Sequence, residues 1–392
     1  MIEHLFIGGR VLASGALEEG LAVGLSEGRI AWLGAAGDAP PAQQRHDLAG
    51  DLLLPGFIDV QVNGGGGVLF NDEPSAEAIA AIGAAHYQFG TTGFLPTLIS
   101  DTLEVVDAGV AAARDAIARK VPGVLGIHIE GPFLNPARKG IHDGTKLIPL
   151  TAELLPSLTA LEGGRTLVTL APEMVPDGLI AALAQAGVLV CAGHTEASLD
   201  QMRAAYAAGM RGVTHLFNAM PPLVNRAPGP VGAALEDQTG WCGLIVDGHH
   251  VDPAVLRLAL KCRPLDRFML VTDAMPTVGA AVQEFVLGRE VIRVSEGRCQ
   301  SADGTLAGSA LDMAAAVRGA MAQMNLTLPQ AVAMASTSPA AFLGLDHELG
   351  SITPGYRASL VIASEALEIR QTWVNGTRVF SRDSAPLCKL VL

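Results

Sequence analysis

A carboxylate and two imidazoles each stand at the end of an apolar run in this chain: Glu130 closes VLGIHIE, His194 closes VLVCAGH and His215 closes GVTH. Short apolar runs followed by turn residues predict buried strands. Two neutral imidazoles and a carboxylate suit Zn2+ first, and Fe2+, Mn2+ or Co2+ to some degree. Asp273 closes a fourth run, FMLVTD. A carboxylate beside such a cation, but outside its ligand set, is what a hydrolase needs to move protons to and from water. Each residue also has a plainer use. Glu130 before Gly131-Pro132 could accept backbone hydrogen bonds, a lone histidine is usually structural, and Asp273 could cap a helix. The same placement recurring in four runs is what favours a site.

The first apolar strand, in GFIDVQVNGGGG, carries Gln61 and Asn63 two residues apart, so both amides fall on one face. Amides hydrogen-bond water or a ligand well and bind zinc poorly, which argues for one cation per chain rather than two. Their plainer use is to satisfy the glycine-rich turn that follows. His128 shares the face of Glu130 one layer deeper and reads as a hydrogen-bonded core or supporting group. Three basic side chains follow strand ends: His142 in RKGIHDG near Lys139, Arg226 in PLVNRAPGP, and His250 in DGHHVDP with His249 ranked second. Fixed basic groups and backbone N–H groups suit a phosphate, although each alone could be an ordinary surface residue. His4, His46, His86 and His347 fall on terminal strands or outer helices and are set apart from the chemistry, and Cys191 reads as a buried thiol.

The elements that must position these groups are legible as alternating strands and Ala-rich helices. Eight strands are predicted: Phe57–Asn63, Gly93–Ile99, Val124–Glu130, Leu167–Pro172, Val188–His194, Gly212–Phe217, Cys242–Asp247 and Phe268–Asp273. Helices are predicted over Ala76–Phe89, Leu103–Arg119, Ala197–Ala208 and Leu311–Met324. Eight βα units are the count of a TIM-like (β/α)8 barrel, whose active site lies at the strand C-terminal ends. The segment FVLGREVIRVSEGRCQSADGT reads as a β-hairpin inserted after strand eight, where it would cover the site. Both ends of the chain instead show short strands and Gly turns, with Asn375-Gly376 a strong hairpin signal. The expectation is an α/β protein with a small β-sandwich domain from residues 1–54 and 354–392 and a catalytic barrel from 55–353, the boundaries near Pro55 and Pro354.

Composition limits the function classes. With 392 residues, 49% hydrophobic and 17% charged, the chain can bury a large core. A net charge of −13 without a Lys/Arg run argues against nucleic acid, and means that an anionic substrate must be held by local contacts. The uncharged stretch 178–195 could pass for a membrane span, but Gln185 and Gly187 make it a helix, a turn and a buried strand, so no membrane partner is expected. Five cysteines without a CxxC pair, and a start without a signal-peptide pattern, predict free thiols in the cytoplasm.

Taken in order, LPGFIDVQVNGGGG, HIEGPFLNPARKGIH, AGHTEAS, THLFNAMPPL, DGHHVD, LVTDAM and GTLAGS resemble the N-acetylglucosamine-6-phosphate deacetylases of the amidohydrolase superfamily, from Leu54 to Ser309. The resemblance implies a metal-dependent barrel enzyme acting on a small phosphorylated amino sugar, as a homodimer. It implies Glu130, His194 and His215 as metal ligands and Asp273 as acid/base. His142 would polarise the acetamide carbonyl. Asn218 and Ala219 would hold the sugar phosphate through their backbone, with Arg226 and His250 as its basic partners, one of them from the neighbouring subunit in this family. Gln61 and Asn63 resemble its one-metal branch. The rival readings are a deacetylase of N-acetylgalactosamine 6-phosphate or of another acylated amino sugar. A cyclic amidohydrolase or deaminase fits less well, because strand one lacks His-x-His and strand four, LVTLAPE, lacks a bridging lysine. A non-catalytic binding relative would be expected to have lost ligands that this chain keeps.

Overall fold

In the computed structural model, which describes residues 1–383, eight strands form one sheet. They are β1 (Phe57–Val62), β2 (Thr91–Ile99), β3 (Gly126–Glu130), β4 (Arg165–Leu170), β5 (Leu189–Ala192), β6 (Gly212–Val213), β7 (Trp241–Leu244) and β8 (Phe268–Leu270). Each pairs in parallel with its sequence neighbour. The sheet closes on itself beyond β8, where Val62 bridges Ala274 in parallel and the Asp273 N–H donates to the Gln61 carbonyl at 3.0 Å. This is the (β/α)8 barrel that the alternation of strands and helices predicts.

Side chains strengthen that seam, where the backbone ladder is thin. Asp59 is fully buried on β1, and its carboxylate accepts the N–H groups of Gln61 (3.1 Å) and Thr272 (3.3 Å) and the Thr272 hydroxyl. Burial raises its pKa from 3.8 to about 7, although these hydrogen bonds oppose the shift. The folded chain therefore keeps a proton that the unfolded chain has lost, so this group's contribution to stability declines as pH rises from about 4 to about 7. Asp59→Asn cannot ionise and should lack that decline. Urea unfolding of both proteins at about pH 5 and about pH 8 measures it, and identical pH slopes would refute it.

The helices lie close to their predicted spans, at Ala76–Tyr87, Leu103–Ala118, Leu199–Ala207 and Met313–Met324. Three of these four starts are set by side-chain caps: Ser75 and Asp312 accept backbone N–H groups, and Ser198 with Gln201 forms a capping box. The uncharged stretch resolves into helix Leu179–Gln185, Gly187 at φ 85°, and β5. Among the described residues no helix is long and apolar enough to cross a membrane.

Strands from both ends of the chain build two further sheets. Four strands (Arg29–Ala35, Leu21–Ser26, Ile2–Ile7, Ala42–Asp47) face six (Thr377–Ser381, Ile369–Val374, Leu360–Ala363, Leu52–Pro55, Arg10–Ala13, Ala16–Glu19). Asn375 and Gly376, both at positive φ, make the tight turn that their dipeptide predicts. Period-two alternation gives the six-stranded sheet two apolar faces. Leu53, Leu360 and Ile362 pack with Phe6, Val23 and Leu25 of the other sheet, whereas Leu52, Leu54 and Val361 join the barrel core. The insertion after β8 is a three-stranded antiparallel sheet (Glu284–Leu287, Glu290–Ser295, Arg298–Gln300) rather than the expected hairpin. The reason lies at Glu296-Gly297, where two successive positive φ angles turn the chain back a second time. Phe285, Leu287, Ile292 and Val294 pack with Leu69 and Met275, which fixes the insertion beside the barrel mouth.

Candidate metal centre and active site

The functional side chains leave the barrel where its ladders stop. Glu130 is the last residue of β3, but His194, His215 and Asp273 lie beyond β5, β6 and β8, which end two to three residues earlier than the apolar runs suggest. The cause is backbone geometry. His194 (φ 50°), His215 (φ 30°) and Asp273 (φ 54°) all adopt left-handed conformations that side-chain-bearing residues rarely take. Such strain concentrates at sites where the surrounding structure enforces it.

These turns bring Glu130, His194 and His215 together, with one donor atom from each inside a 4.8 Å span. His215 Nε2 lies 2.9 Å from Glu130 Oε1 and 3.1 Å from His194 Nε2, and His194 Nε2 lies 3.3 Å from the same carboxylate oxygen. His194 Nδ1 faces the Arg138 carbonyl at 2.8 Å. A carbonyl only accepts, so Nδ1 carries a hydrogen and Nε2 is the ring atom turned to the cluster. Burial would raise the Glu130 pKa, but the hydrogen bonds and charges of the two histidines hold it well below the usual carboxylate range. A buried carboxylate and two buried imidazole Nε2 atoms within this span could hold a divalent cation.

Asp273 stands next to this set, held by amides. Its Oδ1 accepts from Gln61 Nε2 (3.1 Å) and Asn63 Nδ2 (2.6 Å), while Gln61 Nε2 also donates to Glu130 Oε2 (3.0 Å). The two amides on β1 thus orient both carboxylates. Burial, then the charge of Glu130, raises the Asp273 pKa to about 6, close to where a group can both take and return a proton. His128 lies below, bridging Thr169 (2.8 Å) and Thr97 (3.4 Å), a supporting group in the barrel interior. His142 Nδ1 accepts the Ser100 N–H at 3.2 Å, which leaves its ring hydrogen on Nε2. Burial, then the charge of His194, lowers its pKa to about 3, so it is a neutral donor.

A cavity of about 280 Å³ joins these groups; Asn63, Glu130, His142, His194, His215, Asn218, Ala219, His250 and Asp273 all line it. Arg226 does not. It is exposed, on the loop that also exposes Leu223 and Val224, and lines a separate surface depression with Glu196 and Asp200. Pro221, Pro222 and Pro228 carry that loop outward before helix Gly229–Glu236 begins. Sequence reasoning missed Ser100 as the partner of His142, Asp247 as the partner of His250, and the cavity wall from Thr305, Leu306 and Gly308. Asp247-Gly248 closing a strand and GTLAGS following the insertion were the available signals. His86, set apart in the sequence reading, is fully buried on its helix and braces the Gly64 carbonyl after β1 at 2.9 Å.

This geometry defines a metal-assisted hydrolase on a barrel. The chain belongs to the amidohydrolase family, whose model matches residues 52–379. It is 39% identical over 382 residues to an N-acetylgalactosamine-6-phosphate deacetylase of Shewanella sp. (strain ANA-3), covering 96% of each chain. It is 35% identical over 360 residues to the Homo sapiens N-acetylglucosamine-6-phosphate deacetylase, covering 88% of this chain and 87% of the human one. The crystal structure of the Pasteurella multocida N-acetylglucosamine-6-phosphate deacetylase superposes with a TM-score of 0.91 at 32% identity, covering 96% of this chain and 99% of that one.

Proposed function

We propose that this chain hydrolyses the acetamide of N-acetyl-D-glucosamine 6-phosphate to glucosamine 6-phosphate and acetate, in amino-sugar catabolism or recycling. The observation that carries the reading is one cavity in which a three-residue cation site, the amide-held Asp273 and the neutral donor His142 converge. Relatives named for this activity support it. When bound by Glu130, His194 and His215, a divalent cation supplies Lewis-acid polarisation and acidifies water. Asp273 takes the proton of the attacking water and returns it to the departing amine, which is a poor leaving group until protonated. His142 donates through Nε2–H to the acyl oxygen as charge develops there. Gln61 and Asn63 keep Asp273 aimed throughout.

The second reading is the C4 epimer, N-acetylgalactosamine 6-phosphate, favoured by the name of the relative at 39% identity. Measuring kcat/KM on both epimers decides between them. Neither being a substrate would sink the proposal, although another acylated amino sugar would keep the chemistry.

The phosphate is assigned to His250, to backbone groups at Asn218 and Ala219, and to Arg226. The exposure of Arg226 outside its own chain's cavity supports a homodimer in which it reaches the partner's site. Arg226→Ala should lower kcat/KM for the phosphorylated sugar by about 1.5–3 kcal/mol, the scale of a charge-assisted hydrogen bond. The plain sugar should be barely affected, and equal losses on the two would remove Arg226 from the phosphate. Zinc as the resident cation is favoured by the two-imidazole, one-carboxylate set. A cytoplasmic setting is supported by free Cys191, Cys242, Cys262 and Cys299; Cys388 lies outside the described residues. The division into 1–54 with 354–392 and 55–353 is supported by Leu360 pairing with Pro55, while residues 384–392 lie outside the described part.

A further inference from the structure

We propose that Asp247 is the positioning residue that fixes His250 for an anionic substrate group, and that it thereby sets the preference for phosphorylated over plain sugar. This rests on the assignment of His250 to the phosphate made above. Asp247 touches no reacting atom. Its carboxylate is committed on both oxygens: Oδ1 accepts the N–H groups of His249 (2.8 Å) and His250 (2.9 Å), and Oδ2 meets His250 Nδ1 at 2.7 Å. Both side chains are only 6% exposed.

A carboxylate can only accept, so His250 Nδ1 carries a hydrogen in either charge state, and Nε2 is left for the cavity that His250 lines. Burial alone would raise the Asp247 pKa, but the hydrogen bond and charge of His250 and the two backbone N–H groups bring it to about 2. Asp247 therefore remains an anion. An anion held against Nδ1 favours positive charge on the ring when an anionic group faces Nε2 across the cavity. That charge matters in a cavity whose other ionisable lining includes Glu130 and Asp273, on a chain of net charge −13. Gly248, at φ 80°, makes the turn that lets one carboxylate reach both the loop backbone and the ring.

Asp247→Asn tests the ring rather than the loop. The amide oxygen can keep the two backbone bonds, but its NH2 faces Nδ1, which must then accept; the ring keeps a hydrogen on Nε2 as a neutral donor, and the counter-charge that supports a cationic ring is gone. Steady-state kinetics on N-acetylglucosamine 6-phosphate and plain N-acetylglucosamine would compare wild type, Asp247→Asn, His250→Asn and the double variant. The expected result for Asp247→Asn is a KM for the phosphorylated sugar raised about tenfold with kcat within about twofold, and a phosphorylated-to-plain preference reduced by a similar factor. In the His250→Asn background the same substitution should cost less than about twofold more. Nitrogen NMR of the His250 ring should show Nδ1 protonated in the wild type and unprotonated in Asp247→Asn. Additive losses in the double variant, equal losses on both substrates, or an unprotonated Nδ1 in the wild type would each overturn the inference, the last even if the variant fails to fold. A wild type without preference for the phosphorylated sugar would overturn the substrate reading and this inference together. A retained preference that Asp247→Asn leaves unchanged would overturn this inference alone.

Discussion

Asp273→Asn should reduce kcat by a factor on the order of 10³ or more while leaving cation content and substrate binding intact. The substitution is nearly isosteric, and its amide oxygen can still accept from Gln61 and Asn63, which now bond Asp273 Oδ1. The other arm changes character. Where the carboxylate has an oxygen able to take the water proton, the amide presents an NH2 that cannot. Two steps fail together, because the same group must later protonate the amine. The wild type should also lose activity as pH falls through the Asp273 pKa, since the protonated acid cannot act as a base. Burial and the charge of Glu130 place that pKa at about 6 before any cation acts on it. The residual activity of the variant should lack this acid limb. A variant retaining more than about a tenth of the wild-type rate would remove Asp273 from its role. Cation content and thermal melting on the same samples separate lost chemistry from lost structure.

Much of this site was legible because its residues sit at ends of apolar runs, and a parallel sheet buried on both faces writes such runs plainly. The sequence carries all eight strands as separate apolar runs, and it sets Glu130, His194, His215 and Asp273 at the C-terminal ends of four of them. Strand ends were less legible. His194, His215 and Asp273 follow directly on their apolar runs, and no local pattern marks the positive φ angles that end the strands before them. The third strand of the insertion was hidden in the same way, by a turn at Glu296-Gly297 within a charged segment. Partnerships across the fold were the least legible. Gln61 holding two carboxylates from β3 and the end of β8 joins residues 69 and 212 positions apart. The alternation of β1 gives the face that Gln61 occupies and nothing about what it meets there. Arg226 shows the remaining limit: its charge is readable in the sequence, but its exposure outside the cavity is not.

Removal of the cation should be as damaging as removal of Asp273. Elemental analysis is expected to find close to one divalent cation per chain, and chelation should lower turnover by a factor on the order of 10³ or more, with recovery when one equivalent is returned. His194→Ala should bind the cation weakly and show the same loss, because Glu130 and His215 alone supply too few donors. The barrel should persist in both cases: the ligands lie at strand ends, outside the apolar core, so the apo protein should unfold cooperatively at a lower temperature rather than be unfolded. The count of one follows from the direction of hydrogen bonds on β1. Gln61 Nε2 points its hydrogens at Glu130 and Asp273, and Asn63 Nδ2 points at Asp273. The positive end of the Gln61 amide dipole thus lies between the carboxylates, where a second cation would have to sit, and Asn63 covers Asp273 beside it. They hydrogen-bond the Asp273 carboxylate in its place and leave it free to carry protons. Two cations per active chain, or a bound ion ligated by Gln61 or Asn63, would show that these amides turn their oxygens inward instead, and that Asp273 is a ligand as well as a base.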